Sequence, residues 1–170
     1  MRKLLKVALV ALGVVFMSNF AQAQVKIGYV AMDQVVPLLP EYKTAQTVVN
    51  TFQQGWIDQI NKLGTEYQNK AKEYETKRTT MTDAARTVAE SELSDLQKRA
   101  NEMQTKAQQE VSAKGEEQMI PLINKVKTAI NAVAKEKGYT YVLNTSQTEL
   151  LVSPPADDLL AAVKTKLGLK

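Results

Sequence analysis

Between Glu41 and Lys137 the apolar positions step along the chain by fours and threes. Phe52, Trp56, Ile60, Leu63, Tyr67, Tyr74 and Met81 mark the first half; Val88, Leu93, Leu96, Ala100, Met103 and Ala107 mark the second. This spacing keeps the side chains on one narrow stripe of a helix, and so narrow a stripe suits one partner helix rather than a globular core. Two long helices folded back on each other are predicted. The first runs from about Glu41 to Lys77 or Arg78, and the second continues to Lys137. Residues 79–83 form the reversal, with Thr82 as N-cap and Asp83 at the positive end of the returning helix. With the turn centred on Met81, Glu41 falls opposite Pro121.

Past Pro121 the apolar face widens, through Ile123, Val126, Ala129, Ile130 and Val133. The last turns of the second helix are therefore expected to pack on a body, and the earlier ones only on the other helix. Pro121 sits at the change, where its missing N–H removes a helical hydrogen bond. With Gly115 it is the expected hinge, an alternative being a fixed kink.

The flanks read as β-rich. Val25, Ile27, Tyr29 and Ala31 alternate with Lys26, Gly28, Val30 and Met32, and a strand is expected over 24–36, covered on both faces. Pro40 suits the first turn of a helix. Gly138 ends the long helix; residues 139–143 and Glu149–Val152 are expected as two further strands. Ser153-Pro154-Pro155 breaks the chain, and Asp157 is the expected cap of a last helix in which Leu160, Val163 and Leu167 share a face. The fold class is α+β, predominantly helical. Its expected parts are a discontinuous body, 24–40 with 119–170, and a helical-hairpin arm, 41–118. A body this small has a marginal core alone, and its first strand presents an edge to another subunit, so a symmetric oligomer is expected. Val25, Ile27, Tyr29, Tyr141, Leu143 and Leu151 are its expected oligomerisation residues.

The N-terminus changes the charge argument. Arg2, Lys3 and Lys6 precede an apolar run from Val7 to Met17 that is too short to span a bilayer. Ala21-Gln22-Ala23 then has the form of a secretory cleavage site, so residues 1–23 are expected to be a signal peptide cleaved after Ala23. The whole chain has 22 basic and 18 acidic residues. Losing three basic residues leaves 19 against 18, a net of +1, which gives no support for a nucleic-acid partner.

Cysteine and histidine are absent. That removes disulfides, thiolate metal sites, the commonest metal ligand and the usual general base. No Gly-rich phosphate loop or nucleophile elbow is present, so no catalytic residues, metal or cofactor are expected. Asn144-Thr145-Ser146 matches a glycosylation acceptor but carries no weight in an exported chain of this kind. What remains is surface. Tyr67, Tyr74, Met81, Val88 and Met103 are ordinary coiled-coil contacts on one reading. On the other they offer sparse apolar contacts among charges, and Met and Tyr tolerate varied partners.

Several segments together resemble the Skp/OmpH family of periplasmic chaperones for outer-membrane proteins. They are the export signal, Val25-Lys26-Ile27-Gly28-Tyr29-Val30, the long hairpin, Pro121-Leu122-Ile123 through Val133-Ala134, Gly138 to Leu143, and Ala156-Asp157-Asp158-Leu159. The resemblance implies a periplasmic homotrimer shaped like a jellyfish, with a small β-barrel body and three helical arms around a cavity. It implies a holdase that keeps unfolded outer-membrane β-barrel proteins there without ATP. Weak membrane or lipopolysaccharide contact also belongs to that family picture. The net charge of +1 departs from its strongly basic members, and no lipopolysaccharide residues carry over. The alternative from a different class is a passive coiled-coil scaffold of the cell envelope.

Overall fold

The computed structural model describes residues 25–169; the expected signal peptide lies outside the described residues. Strand β1 (Ile27–Val30) leads through two short 3-10 turns into helix α1 (Pro40–Lys77). Helix α2 (Asp83–Lys137) returns antiparallel to it, followed by strand β2 (Tyr141–Asn144) and a short helix α3 (Leu160–Lys166). At 1.5 Å per residue, the 38 residues of α1 span about 57 Å and the 55 of α2 about 82 Å.

The ends of these elements follow local chemistry. Pro40 opens α1 after Leu39, whose backbone is extended. Thr82 caps α2, its hydroxyl accepting from the Ala85 N–H at 3.2 Å, and Asp83 lies in the first turn. At the far end Gly138 has φ 71°, and the Tyr139 N–H donates to the Ala134 carbonyl at 2.8 Å. That closure needs a left-handed residue, which glycine adopts without steric cost. Pro121 lies inside α2, which continues unbroken past it on an exposed face.

β1 and β2 pair in parallel, with Ile27 beside Tyr141 and Tyr29 beside Leu143. The whole hairpin forms the crossover between them. On the inner face Gly28 and Val30 are buried. The core joins Val30, Val35, Leu39, Val126, Leu159 and Val163 with the inward face of α2 from Leu122 to Ala134. It reaches up the hairpin to Ala45, with Tyr42 and Met119 packed against it.

Several expectations are corrected here. The first strand is four residues long, because the chain turns after Ala31 to bury Val35 and Val36. The Met32 N–H donates to Asn144 Oδ1 at 3.3 Å rather than continuing the ladder. Within one chain the sheet is covered on one face only: Ile27 remains 50% exposed. Residues 149–152 form no strand, since no neighbouring strand offers them hydrogen bonds. Asp157 is not the cap of α3: it accepts from the Tyr139 hydroxyl at 3.0 Å, while Asp158 accepts from the Leu160 N–H at 2.8 Å. Glu41 meets Lys125, one turn past Pro121.

Candidate functional site

Side chains alternate across a strand, so burying Gly28 and Val30 turns Ile27 and Tyr29 outward. Parallel register places Tyr141 and Leu143 beside them. Tyr141 is 60% exposed, Val25, Ile27 and Leu143 are also exposed, and Tyr29 is half-buried. These five lie together on one side of the sheet. Leu151 is not part of the cluster: it stands 92% exposed in the following loop. Leu150 and Val152 instead line a groove of about 320 Å³ with Val25, Ile27, Tyr29 and Leu143. Sequence reasoning missed those two, although both lie in the β-rich run that it singled out.

Contacts on both sides hold this face in place. A Cβ on Gly28 would stand 3.0 Å from Leu159 Cδ1 and 3.1 Å from Tyr139 Cδ1, so the sheet sits as close as glycine permits. The Tyr139 hydroxyl also reaches the Ala156 carbonyl at 3.1 Å, and Lys26 Nζ lies 3.9 Å from the ring centroid. On the other side Asn144 Oδ1 accepts from the Met32 and Ser146 N–H groups. Ser146 Oγ donates to Asp33 at 2.7 Å and accepts from its N–H at 3.0 Å. The Asn144 side chain is thus a structural clamp.

The hairpin is packed differently. Leu63, Leu96 and Ala107 are buried, and Phe52 meets Trp56 edge-on with centroids 6.4 Å apart. Tyr67, Tyr74, Met81 and Met103 are half-buried along the seam. Val88 lies off it, 59% exposed, and Ala89 takes the inward position. That corrects the reading of Val88 as a seam contact: the inward positions Ala89, Leu93, Leu96, Ala100, Met103 and Ala107 follow in steps of four and three, and Val88, five residues before Leu93, falls outside them. Met103 and Trp56 share a shallow groove of about 350 Å³ with Arg99 and Lys106.

Polar bonds cross the hairpin at its two ends. Near the tip Lys70 Nζ lies 2.6 Å from Glu92, and the Tyr74 hydroxyl donates to Glu90. At the root Lys125 pairs with Glu41. Hydrogen bonding to Lys125 holds the Glu41 carboxyl below its ordinary value, and bonding to Glu92 raises Lys70. Donation to Glu90 raises the Tyr74 phenol. These groups are exposed or only half-buried, so such shifts describe local geometry more than stability.

Among the described residues no group of His, Cys, Asp and Glu could hold a metal ion. None of the helices among the described residues is long and apolar enough to cross a membrane. The arrangement offers two surfaces for contact, an apolar sheet face and an open helical seam.

The family model for outer membrane protein (OmpH-like) matches residues 26–167, well over half of the chain. No curated protein matches it. Among solved structures it is similar to a crystal structure from Caulobacter crescentus CB15, assigned as an outer membrane chaperone (OmpH-like). The two are 23% identical with a TM-score of 0.62, covering 84% of this chain and 83% of the other.

Proposed function

The chain belongs to the OmpH-like family, a family of chaperones and not of enzymes, and on that premise we propose that it is an ATP-independent periplasmic holdase for unfolded outer-membrane β-barrel proteins. The observation that carries this reading is the hairpin's open construction. Two long helices leave the core, and over most of their length their apolar side chains are half-buried rather than sealed. Contacts of this kind are individually weak, and many of them around one client give retention with rapid release.

In this proposal residues 24–40 and 119–170 form the body and 41–118 the arm. Three copies close their sheets into a small barrel through Val25, Ile27, Tyr29, Tyr141 and Leu143. Glu149–Val152 then gains the strand partner that it lacks within one chain, and the three arms surround a cavity. Leaving Leu151 and Val152 in water is unfavourable, and covering them with a neighbour removes that cost. Tyr67, Tyr74, Met81, Val88 and Met103 make the client contacts. Gly115 and Pro121 let the arms adjust to client size. Export of the chain, with cleavage after Ala23, supplies the location. Weak membrane or lipopolysaccharide contact is secondary here, with a mature net charge of only +1.

The test is light scattering as a urea-unfolded outer-membrane β-barrel protein is diluted into nucleotide-free buffer with the mature protein. Suppression near one oligomer per client is expected. Unchanged scattering, with the protein folded and oligomeric, would favour a passive envelope scaffold.

A further inference from the structure

Between Leu63 on α1 and Leu96 on α2, the whole distal end of the hairpin, no side chain is buried. Tyr67, Tyr74, Met81, Ala89 and Leu93 face the seam there but are only half-covered. What crosses from helix to helix is polar: the Lys70–Glu92 ion pair and the Tyr74–Glu90 hydrogen bond. Lys70 and Glu92 are 41% and 52% exposed. A solvent-exposed pair contributes little to stability, and a segment with few buried apolar contacts opens at a small fraction of the global unfolding free energy. The reversal itself is firmly bonded, with Thr80 and Met81 N–H groups both on the Lys77 carbonyl at 2.9 and 3.1 Å. Thr82 caps the returning helix. The turn is therefore locally stable, and the weak link is the junction between the two helices behind it.

We infer that the distal hairpin, from Tyr67 to Leu93, parts as a unit separate from the rest of the arm, held shut by two polar cross-bonds, and that its parting presents the seam side chains to unfolded polypeptide. This deepens the proposed chaperone reading and rests on it. It gives Tyr67, Tyr74 and Met81 one surface with two uses. Closed, they pack against each other; open, they are an apolar strip bordered by Lys70, Glu73 and Glu92, the charged groups lining the notch around Tyr74 and Met81. Aggregation-prone polypeptide is the occupant whose apolar segments compete for that strip. The bordering charges keep an unoccupied strip soluble.

Two measurements on the intact oligomer decide it. Amide hydrogen exchange should be at least tenfold faster over 67–93 than over 96–110. Tyr74→Phe with Glu92→Gln removes the Tyr74–Glu90 hydrogen bond and discharges the Lys70–Glu92 ion pair at nearly constant volume, and should speed distal exchange several-fold further, leaving the body unchanged. Uniform protection along the arm, or a double variant that exchanges as the parent does, would overturn the opening. For the contact role, Lys70→Cys and Glu92→Cys are joined by a reducible bis-methanethiosulfonate linker. Scattering of the diluted β-barrel protein is then followed before and after reduction. Suppression lost when bridged and regained on reduction supports the inference. Equal suppression in both states sinks the contact role while the chaperone reading stands, and failure of the parent protein itself sinks both.

Discussion

A methyl group placed on Gly28 would press against Leu159 and Tyr139, whereas one placed on Gly55, Gly64 or Gly115 would meet nothing within 4 Å. The same residue type thus does opposite things at the two ends of the molecule. In the body glycine lets a sheet approach a core in which Val30, Val35, Val126, Leu159 and Val163 are almost wholly buried. In the arm it fits no tight space; it only raises the cost of staying helical. The difference teaches how the chain divides its stability: specific packing is concentrated at the root, and the hairpin is left with helical propensity, a thin seam and a few exposed ion pairs.

The contrast can be broken or sharpened by substitution, and the largest effect belongs to the core. Leu159→Ala should destabilise the protein by about 2–5 kcal/mol, the usual range for a buried leucine, while Met103→Ala in the half-open seam should cost under about 1 kcal/mol. Thermal unfolding of both variants would show it, and equal losses would mean that the arm is packed as a core. Next comes Gly28→Val, which overpacks the contact with Leu159 and should cost about 1–3 kcal/mol. A stable Gly28→Val protein would show that the sheet can move off the core.

Replacing each of Gly55, Gly64 and Gly115 with alanine should work in the opposite sense. There is room for the methyl group, so each change should stabilise the hairpin by about 1 kcal/mol. Helicity by circular dichroism should rise and arm exchange should slow. A loss of stability would reveal a contact in the assembled protein that a single chain does not show.

The smallest effect is electrostatic. Glu41 is held below its ordinary value of 4.5 by Lys125, so the root ion pair stabilises above that value and fades as pH falls through the depressed one. Lys70 and Tyr74 are raised, so their contribution is complete below about pH 10 and fades as pH rises through the raised values. Protection of the amides relative to their intrinsic exchange rate should therefore fall in the distal hairpin in alkali and at the root in acid. Added salt should mute both shifts, since none of these groups is buried.

Much of the hairpin was legible in the sequence. The helix spans, the Thr82 cap, Pro40 in the first turn and the Gly138 ending each depend on residues within a turn of one another. Val88 was misread because it stands five residues before Leu93, and on a stripe of fours and threes the inward place belongs to its smaller neighbour Ala89. Asp157 was misread because its neighbour Asp158 carries the same group, and only the position of Tyr139, 18 residues away, tells them apart.

The strands were less legible, for the same physical reason. Hydrophobic period and capping are local, and by themselves they determined that this protein would be a long two-helix hairpin on a small α+β base, with no histidine or cysteine chemistry. Which segments pair as strands depends on partners more than a hundred residues away. Val30 carries both β propensity and a partner, Asn144, whereas Leu151 carries the propensity alone. Tertiary structure alone decided that β1 stops at Val30, that Gly28 rather than its neighbours meets the core, and that one apolar face of the sheet is left uncovered. A backbone hydrogen bond needs a partner in space, and one-dimensional spacing does not say where that partner will be.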